Sequence, residues 1–116
     1  MKKLKLNIIV SILFTLVGCD KKAPQIPRGL TADVVDEDIY LSWESCSAED
    51  FKHFNLEKSF SEDFSEFDGF TLTGTSYIDS NYTMNEPQYY RLSAVDYSGN
   101  ASDYSNIVKA LSLIHI

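Results

Sequence analysis

This sequence has little with which to hold a metal or build a covalent framework: its 116 residues include two cysteines and two histidines. A four-ligand zinc site would consume all of them, and neither CxxC nor HxxxH spacing occurs. No metal or cofactor is expected, and metal-dependent hydrolysis is set aside. Positive charge is also scarce, with 10 Lys and Arg against 17 Asp and Glu for a net charge of −7. Binding to nucleic acid, or adsorption to an anionic lipid face, would work against that repulsion. A helical period is missing too, since no stretch after Pro27 keeps one for long. What remains, 44% hydrophobic and 23% charged, is the composition of one ordinary globular domain.

The two ends read differently from the middle. Residues 1–18 carry Lys2, Lys3 and Lys5, then the apolar run 8–17, then a small residue, which is the layout of a secretory signal. The run is too short for a stable spanning anchor. It closes in Leu16-Val17-Gly18-Cys19, which resembles the bacterial lipobox; the resemblance implies lipid on the Cys19 thiol and cleavage before it. An ordinary cleaved signal would leave the same cysteine as a free thiol. Asp20 resembles a retention signal of enterobacterial lipoproteins, and the choice of inner or outer membrane stays open. With Cys19 acylated, no intramolecular disulfide to Cys46 is expected. Residues 19–25 form a lipidated tether. At the other end, residues 111–116 resemble the translation of a transposase adapter used in sequencing libraries, so the natural chain is expected to continue past Ala110; a short apolar tail is the alternative. Removing the leader keeps every acid and takes three lysines, moving the net charge to −10.

From Pro27 onward apolar residues alternate in twos. Leu30, Ala32 and Val34 share one face of a first strand, and Asp36-Glu37-Asp38 turns the chain. Ile39, Leu41 and Trp43 share one face of a second, with Tyr40, Ser42 and Glu44 opposite. A third strand over 54–60 points Phe54 and Leu56 one way; residues 61–69 read as a loop into 70–73. Further strands lie at 76–79, 89–96 and 106–110, separated by turn signals at Gly74, Asn81, Asn85-Glu86-Pro87 and Ser98-Gly99-Asn100. About seven short strands in about 80 to 90 residues, without room for crossover helices, predict an all-β, seven-stranded antiparallel sandwich. A domain of this size buries only ~60 to 65% of its unfolded surface, so the sole tryptophan, Trp43, is its expected keystone.

The order of these pieces resembles a fibronectin type III domain of bacterial exported proteins. The residues that carry the resemblance are Pro24, Pro27-Arg28-Gly29-Leu30, Ile39-Tyr40-Leu41-Ser42-Trp43, Phe54-Asn55-Leu56, Thr75-Ser76-Tyr77-Ile78-Asp79 and, above all, Tyr89 through Ser93-Ala94-Val95-Asp96, then Gly99-Asn100 and Ser105-Asn106. It spans about residues 26–110 and implies an immunoglobulin-like sandwich with a spacer or binding role. One position departs from the pattern: Gln88 stands where the tyrosine-corner hydroxyl belongs, and the usual aliphatic partner falls at Tyr82. Either the Gln88 amide supplies the missing hydrogen bond or that end of the sandwich is looser.

No catalytic constellation is visible, and no enzymatic activity is expected. Seryl hydrolysis would need a histidine base, yet His53 has no G-x-S-x-G partner and reads as a surface residue. Cys46, between two serines, has no basic neighbour to activate it. The acids at 36–38, 49–50 and 62–63 read as solvated turns without a cleft that would raise one of them. The loop from Asp96 to Asp103 bunches oxygens, but lacks the calcium-loop order, so Asp96 and Asn100 are assigned to the turn itself. The lipobox resemblance implies a bacterial host, in which the sequons at Asn81 and Asn100 are coincidental. Tyr90 should face inward with Leu92 and Ala94, while Tyr40, Tyr89 and Tyr97 offer an outward binding surface for a protein or polysaccharide. The resulting expectation is a lipid-anchored protein of the bacterial envelope carrying a non-catalytic interaction or spacer module. Its alternatives are the accessory domain of a longer exported enzyme, such as a polysaccharide hydrolase, and the first unit of a tandem array.

Overall fold

The computed structural model describes residues 24–46, 50–81, 83 and 85–111. The expected leader 1–18, the expected lipidation position Cys19, Tyr82 and residues 112–116 lie outside them. Seven strands run in order: β1 (Thr31–Val35), β2 (Asp38–Ser42), β3 (Phe51–Ser59), β4 (Asp68–Leu72), β5 (Ser76–Asp79), β6 (Gln88–Asp96) and β7 (Val108–Ala110). They form two antiparallel sheets, a three-stranded one ordered β1-β2-β5 and a four-stranded one ordered β4-β3-β6-β7. The predicted all-β sandwich is the fold.

Its core arises where the inward phase of each strand meets the opposite sheet. Ile39 and Leu41 of β2 oppose Phe54 and Leu56 of β3 and Tyr90, Leu92 and Ala94 of β6, with Leu30, Trp43 and Ala110 closing the cluster. Trp43 meets the Phe54 ring edge-on at 5.6 Å, an arrangement its ring quadrupole favours. The keystone expectation therefore has a physical counterpart, at a cost: Trp43 Nε1 is buried without a hydrogen-bond partner among the described residues.

Several boundaries move from their sequence expectation. β3 starts at Phe51, after which a bulge at Lys52 shifts its register against β6, and it ends before the exposed Phe60. β4 begins two residues early, at Asp68. β7 keeps only three residues, because upstream serines occupy the edge instead: the amides of Leu92 and Ala94 donate to Ser105 Oγ and Ser102 Oγ at 3.0 and 2.9 Å. Val34 has the predicted phase, opposite Ile39, but lies on an edge strand and is 40% exposed. The 36–37 turn works because Asp36 adopts φ 55°, a conformation short polar residues tolerate.

Candidate functional site

Strand direction collects the connections at two poles. At one, the entering segment meets the β2–β3 and β6–β7 connections: the Glu44 amide donates to Arg28 O (2.9 Å), Tyr97 N–H to Asp50 O (3.0 Å), and Asn106 Nδ2 to Leu30 O (3.2 Å). Gly29 sits there at φ +75°, where a Cβ would stand 3.0 Å from Glu44 Oε2, so a side chain would be strained both by backbone and by its neighbour. A small cavity of about 130 Å³ opens between Gln25, Arg28, Glu44 and Cys46. The other pole holds the 36–37 turn, the 60–67 connection and the segment before Gln88. Ala110 pairs with Gln88, so the chain enters at one pole and leaves at the other.

Near the exit pole the interior is polar. Lys58 Nζ lies 2.7 Å from Asp79 Oδ2, with both side chains almost fully buried. Tyr90 Oη donates to the same oxygen at 2.5 Å, and the Asn81 amide donates to Oδ1 at 2.9 Å. Lys58 also donates to Asn81 O at 2.7 Å. The group ties β3 and β6 of one sheet to β5 of the other. Burial by itself would raise the Asp79 pKa, but the hydrogen bonds from Lys58, Tyr90 and Asn81 and the ammonium charge outweigh it and hold the carboxyl below its ordinary value. Burial and then the Asp79 carboxylate push the Tyr90 phenol far upward. Neither Lys58 nor Asp79 stands out in the sequence, although both continue the inward phase of their strands.

Beside this group Gln88 is completely buried and donates from Nε2 to Thr83 O at 3.0 Å and to Glu86 O. Of the two outcomes foreseen for the missing tyrosine, the replacement hydrogen bond is the one that occurs. Gln88 Oε1 has no partner among the described residues.

No family model matches this sequence, and no curated protein does. Solved structures do. A Fn3-like protein from Clostridium thermocellum superimposes with a TM-score of 0.63 at 24% identity, over 80% of this chain and 96% of that one. The sixth fibronectin type III domain of a human fibronectin type III domain containing protein gives 0.67 at 18%, over 80% and 89%. The fold is fibronectin type III-like. A β-1,2-glucanase from Parabacteroides distasonis contains a matching region, with a TM-score of 0.62 at 24% identity over 78% of this chain and 13% of that enzyme.

On this fibronectin-like frame the three tyrosines of the expected binding surface are not brought together. Tyr40 lies on the outer face of the β1-β2-β5 sheet opposite Ile78; Tyr89 lies on the outer face of the other sheet, between Ser59 and Lys109; Tyr97 stands at the entry pole, 71% exposed. Tyr40 and Tyr89 thus face outward from different sheets, so the three do not share one face. The outer face of the larger sheet instead holds a closed cluster that sequence reasoning missed. Arg91 Nε pairs with Glu57 Oε1 at 2.8 Å, and its guanidinium lies between the rings of Phe64 and Tyr104 at 4.2 and 3.7 Å. Tyr104 Oη donates to Glu57 Oε2 at 2.9 Å. Phe64 reaches Arg91 from a backbone at φ 52°, an unfavourable conformation for a bulky residue, held by Ser61 O and by Ser59 Oγ donating to Glu66 O.

The remaining candidates have structural positions. His53 is half-buried beside the bulge, its Nδ1 3.4 Å from Phe54 O. Asp96 Oδ1 accepts from the amides of Ser98 and Asn100, and Oδ2 from Asn100 Nδ2. Burial opposes ionisation there, yet these donors keep the Asp96 carboxyl below its usual range, so its oxygens serve the turn. No group of three His, Cys, Asp or Glu side chains among the described residues could hold a metal ion. Cys46 is disulfide-bonded. The only other cysteine of the sequence is Cys19, so the expectation of no disulfide within the chain turns on a residue outside those described.

Proposed function

We propose that this chain is an exported lipoprotein of the bacterial envelope, held to its membrane by lipid on Cys19, in which the fibronectin-like domain acts as a non-catalytic interaction or spacer module. The basic start, apolar run and Leu-Val-Gly-Cys sequence support the anchor by occurring together and in order. The observation that carries the spacer role is the exit of the chain at the pole opposite its entry, which lets a domain hold its two flanking segments apart. Acylation of Cys19 and a disulfide at the same sulfur exclude each other, because a thioether leaves no sulfur valence for a second bond.

The test is membrane fractionation with intact mass measurement of the wild-type protein and of Cys19→Ser. Lipid mass on the wild type, and release of the variant from membranes, are expected; an unacylated wild-type protein whose mass and alkylation fix a Cys19–Cys46 disulfide overturns the anchor. A second reading, an accessory domain of a larger polysaccharide-active enzyme, is favoured by the presence of this fold in the β-1,2-glucanase. Sequencing the locus past the Ala110 codon separates the two: a catalytic domain downstream favours the accessory role, repeated fibronectin-like modules favour a tandem array, and a stop codon leaves the single module.

A further inference from the structure

The entry pole differs from the exit pole in what it exposes. It presents Tyr97, 71% exposed, with the Lys52 ammonium 6.0 Å above its ring, and, where the entering segment meets Glu44, exposed Ile26 and Arg28. Glu44 and Asp50 also lie at this pole, with Asp103 in the β6–β7 connection, so three acids stand there against two bases. The exit pole exposes Asp36, Glu37, Glu62, Asp63, Glu66 and Glu86, with Lys109 the exposed base beside them among the described residues. Facing a bilayer that carries phosphate, the two ends are therefore not equivalent: the acidic one is repelled, and the other offers two cations and two apolar side chains.

Resting on the anchored reading, we propose that the entry pole lies against the lipid headgroups of the membrane that holds Cys19. Tyr97 and Ile26 enter the interfacial layer, and Lys52 and Arg28 face lipid phosphate. Covalent geometry restricts the alternatives, because the stretch from Cys19 to Pro24 spans no more than about 20 Å when fully extended, which keeps the entering end of the domain within that distance of the acyl chains. A phenol ring bearing an ammonium over its face suits that layer, since its apolar body sinks while its polar groups stay hydrated. The acidic pole, and any segment continuing past Ala110, then points away from the lipid.

The experiment uses the full acylated protein, purified from membranes and reconstituted into phosphatidylethanolamine and phosphatidylglycerol vesicles whose acyl chains are brominated near the headgroup. Tyr97→Trp and Phe67→Trp place the same fluorophore at the two poles, over the shared background of buried Trp43. Emission from the Tyr97→Trp protein should shift to the blue and be lost to bromine quenching, while Phe67→Trp, at a position 50% exposed on the far pole, keeps its emission. Adding Arg28→Glu and Lys52→Glu to Tyr97→Trp should restore emission, with Trp43 reporting that the domain stays folded. Equal quenching at both poles, or none at Tyr97→Trp in a protein that floats with the vesicles, overturns the orientation and leaves the anchor standing. Failure to float at all overturns the anchor and the orientation together.

Discussion

The two halves of the sandwich interior solve the same packing problem with different chemistry. Toward the entry pole it is filled by Trp43, Phe51, Phe54, Leu41 and Ala94, touching through ring edges and aliphatic surface. Toward the exit pole the corresponding space holds Lys58, Asp79 and Tyr90, joined by short hydrogen bonds, and Gln88, whose amide donates to the carbonyls of Thr83 and Glu86. The first half gains from removing apolar area from water and tolerates imprecise geometry. The second must satisfy each polar group or forfeit its desolvation cost, so it fixes how the sheets are placed relative to each other more than it adds stability.

Breaking either half should cost most. Trp43→Ala should lose about 3 to 5 kcal/mol by leaving a cavity at the centre of the apolar half, read as a lowered urea midpoint. Asp79→Ala should lose a comparable ~3 to 5 kcal/mol by stranding the buried Lys58 charge. The comparison sharpens in the double variant Lys58→Met with Asp79→Leu, whose unfolding midpoint should lie closer to wild type than that of Asp79→Ala; a double variant as unstable as the single would show that the ion pair adds net stability. Acid should weaken the polar half. Because the folded Asp79 carboxyl titrates below its unfolded value, its contribution is complete above about pH 4 and fades as pH falls through the folded pKa. Denaturation midpoints of wild type should therefore drop below that pH, with the drop reduced in the double variant.

Smaller effects belong to the borders of the halves. Gln88→Leu should cost about 1 to 3 kcal/mol through the stranded carbonyls of Thr83 and Glu86, with faster amide exchange confined to the chain before β6. Arg91→Ala should cost about 1 to 2 kcal/mol by emptying the space between Phe64 and Tyr104, again by urea titration. Tyr40→Ser, on an open sheet face, should stay within about 0.5 kcal/mol of wild type.

The apolar half is legible in the sequence because its evidence is local: alternation in β2 and β6 names Ile39, Leu41, Tyr90, Leu92 and Ala94 without knowledge of their partners. The polar half is legible only in phase. Lys58 comes after Phe54 and Leu56 at the same spacing, and Gln88 precedes Tyr90 in the same way, so alternation carried two residues further marks both as inward. Their acceptability depends on Asp79 and on the carbonyls of 81, 83 and 86, contributed from another strand and a connection, and that pairing has no local signature. The Arg91 cluster is non-local for the same reason, since Glu57, Phe64 and Tyr104 come from three segments. The tyrosines differ again: exposure is predictable residue by residue, whereas a shared direction requires knowing which sheet each strand joins.

Entry and exit at opposite poles also decide how the domain would respond to tension. Load applied between the ends runs along β1 and β7, which sit in different sheets and are held to their neighbours by unequal ladders: β1 has five paired positions with β2, whereas β7 has three with β6. Pulling along these strands loads their rungs together in shear, so the shorter ladder yields first. The seven-stranded body then lengthens by release of its last strand, while the Ser102 and Ser105 hydroxyls still grip β6 upstream of it.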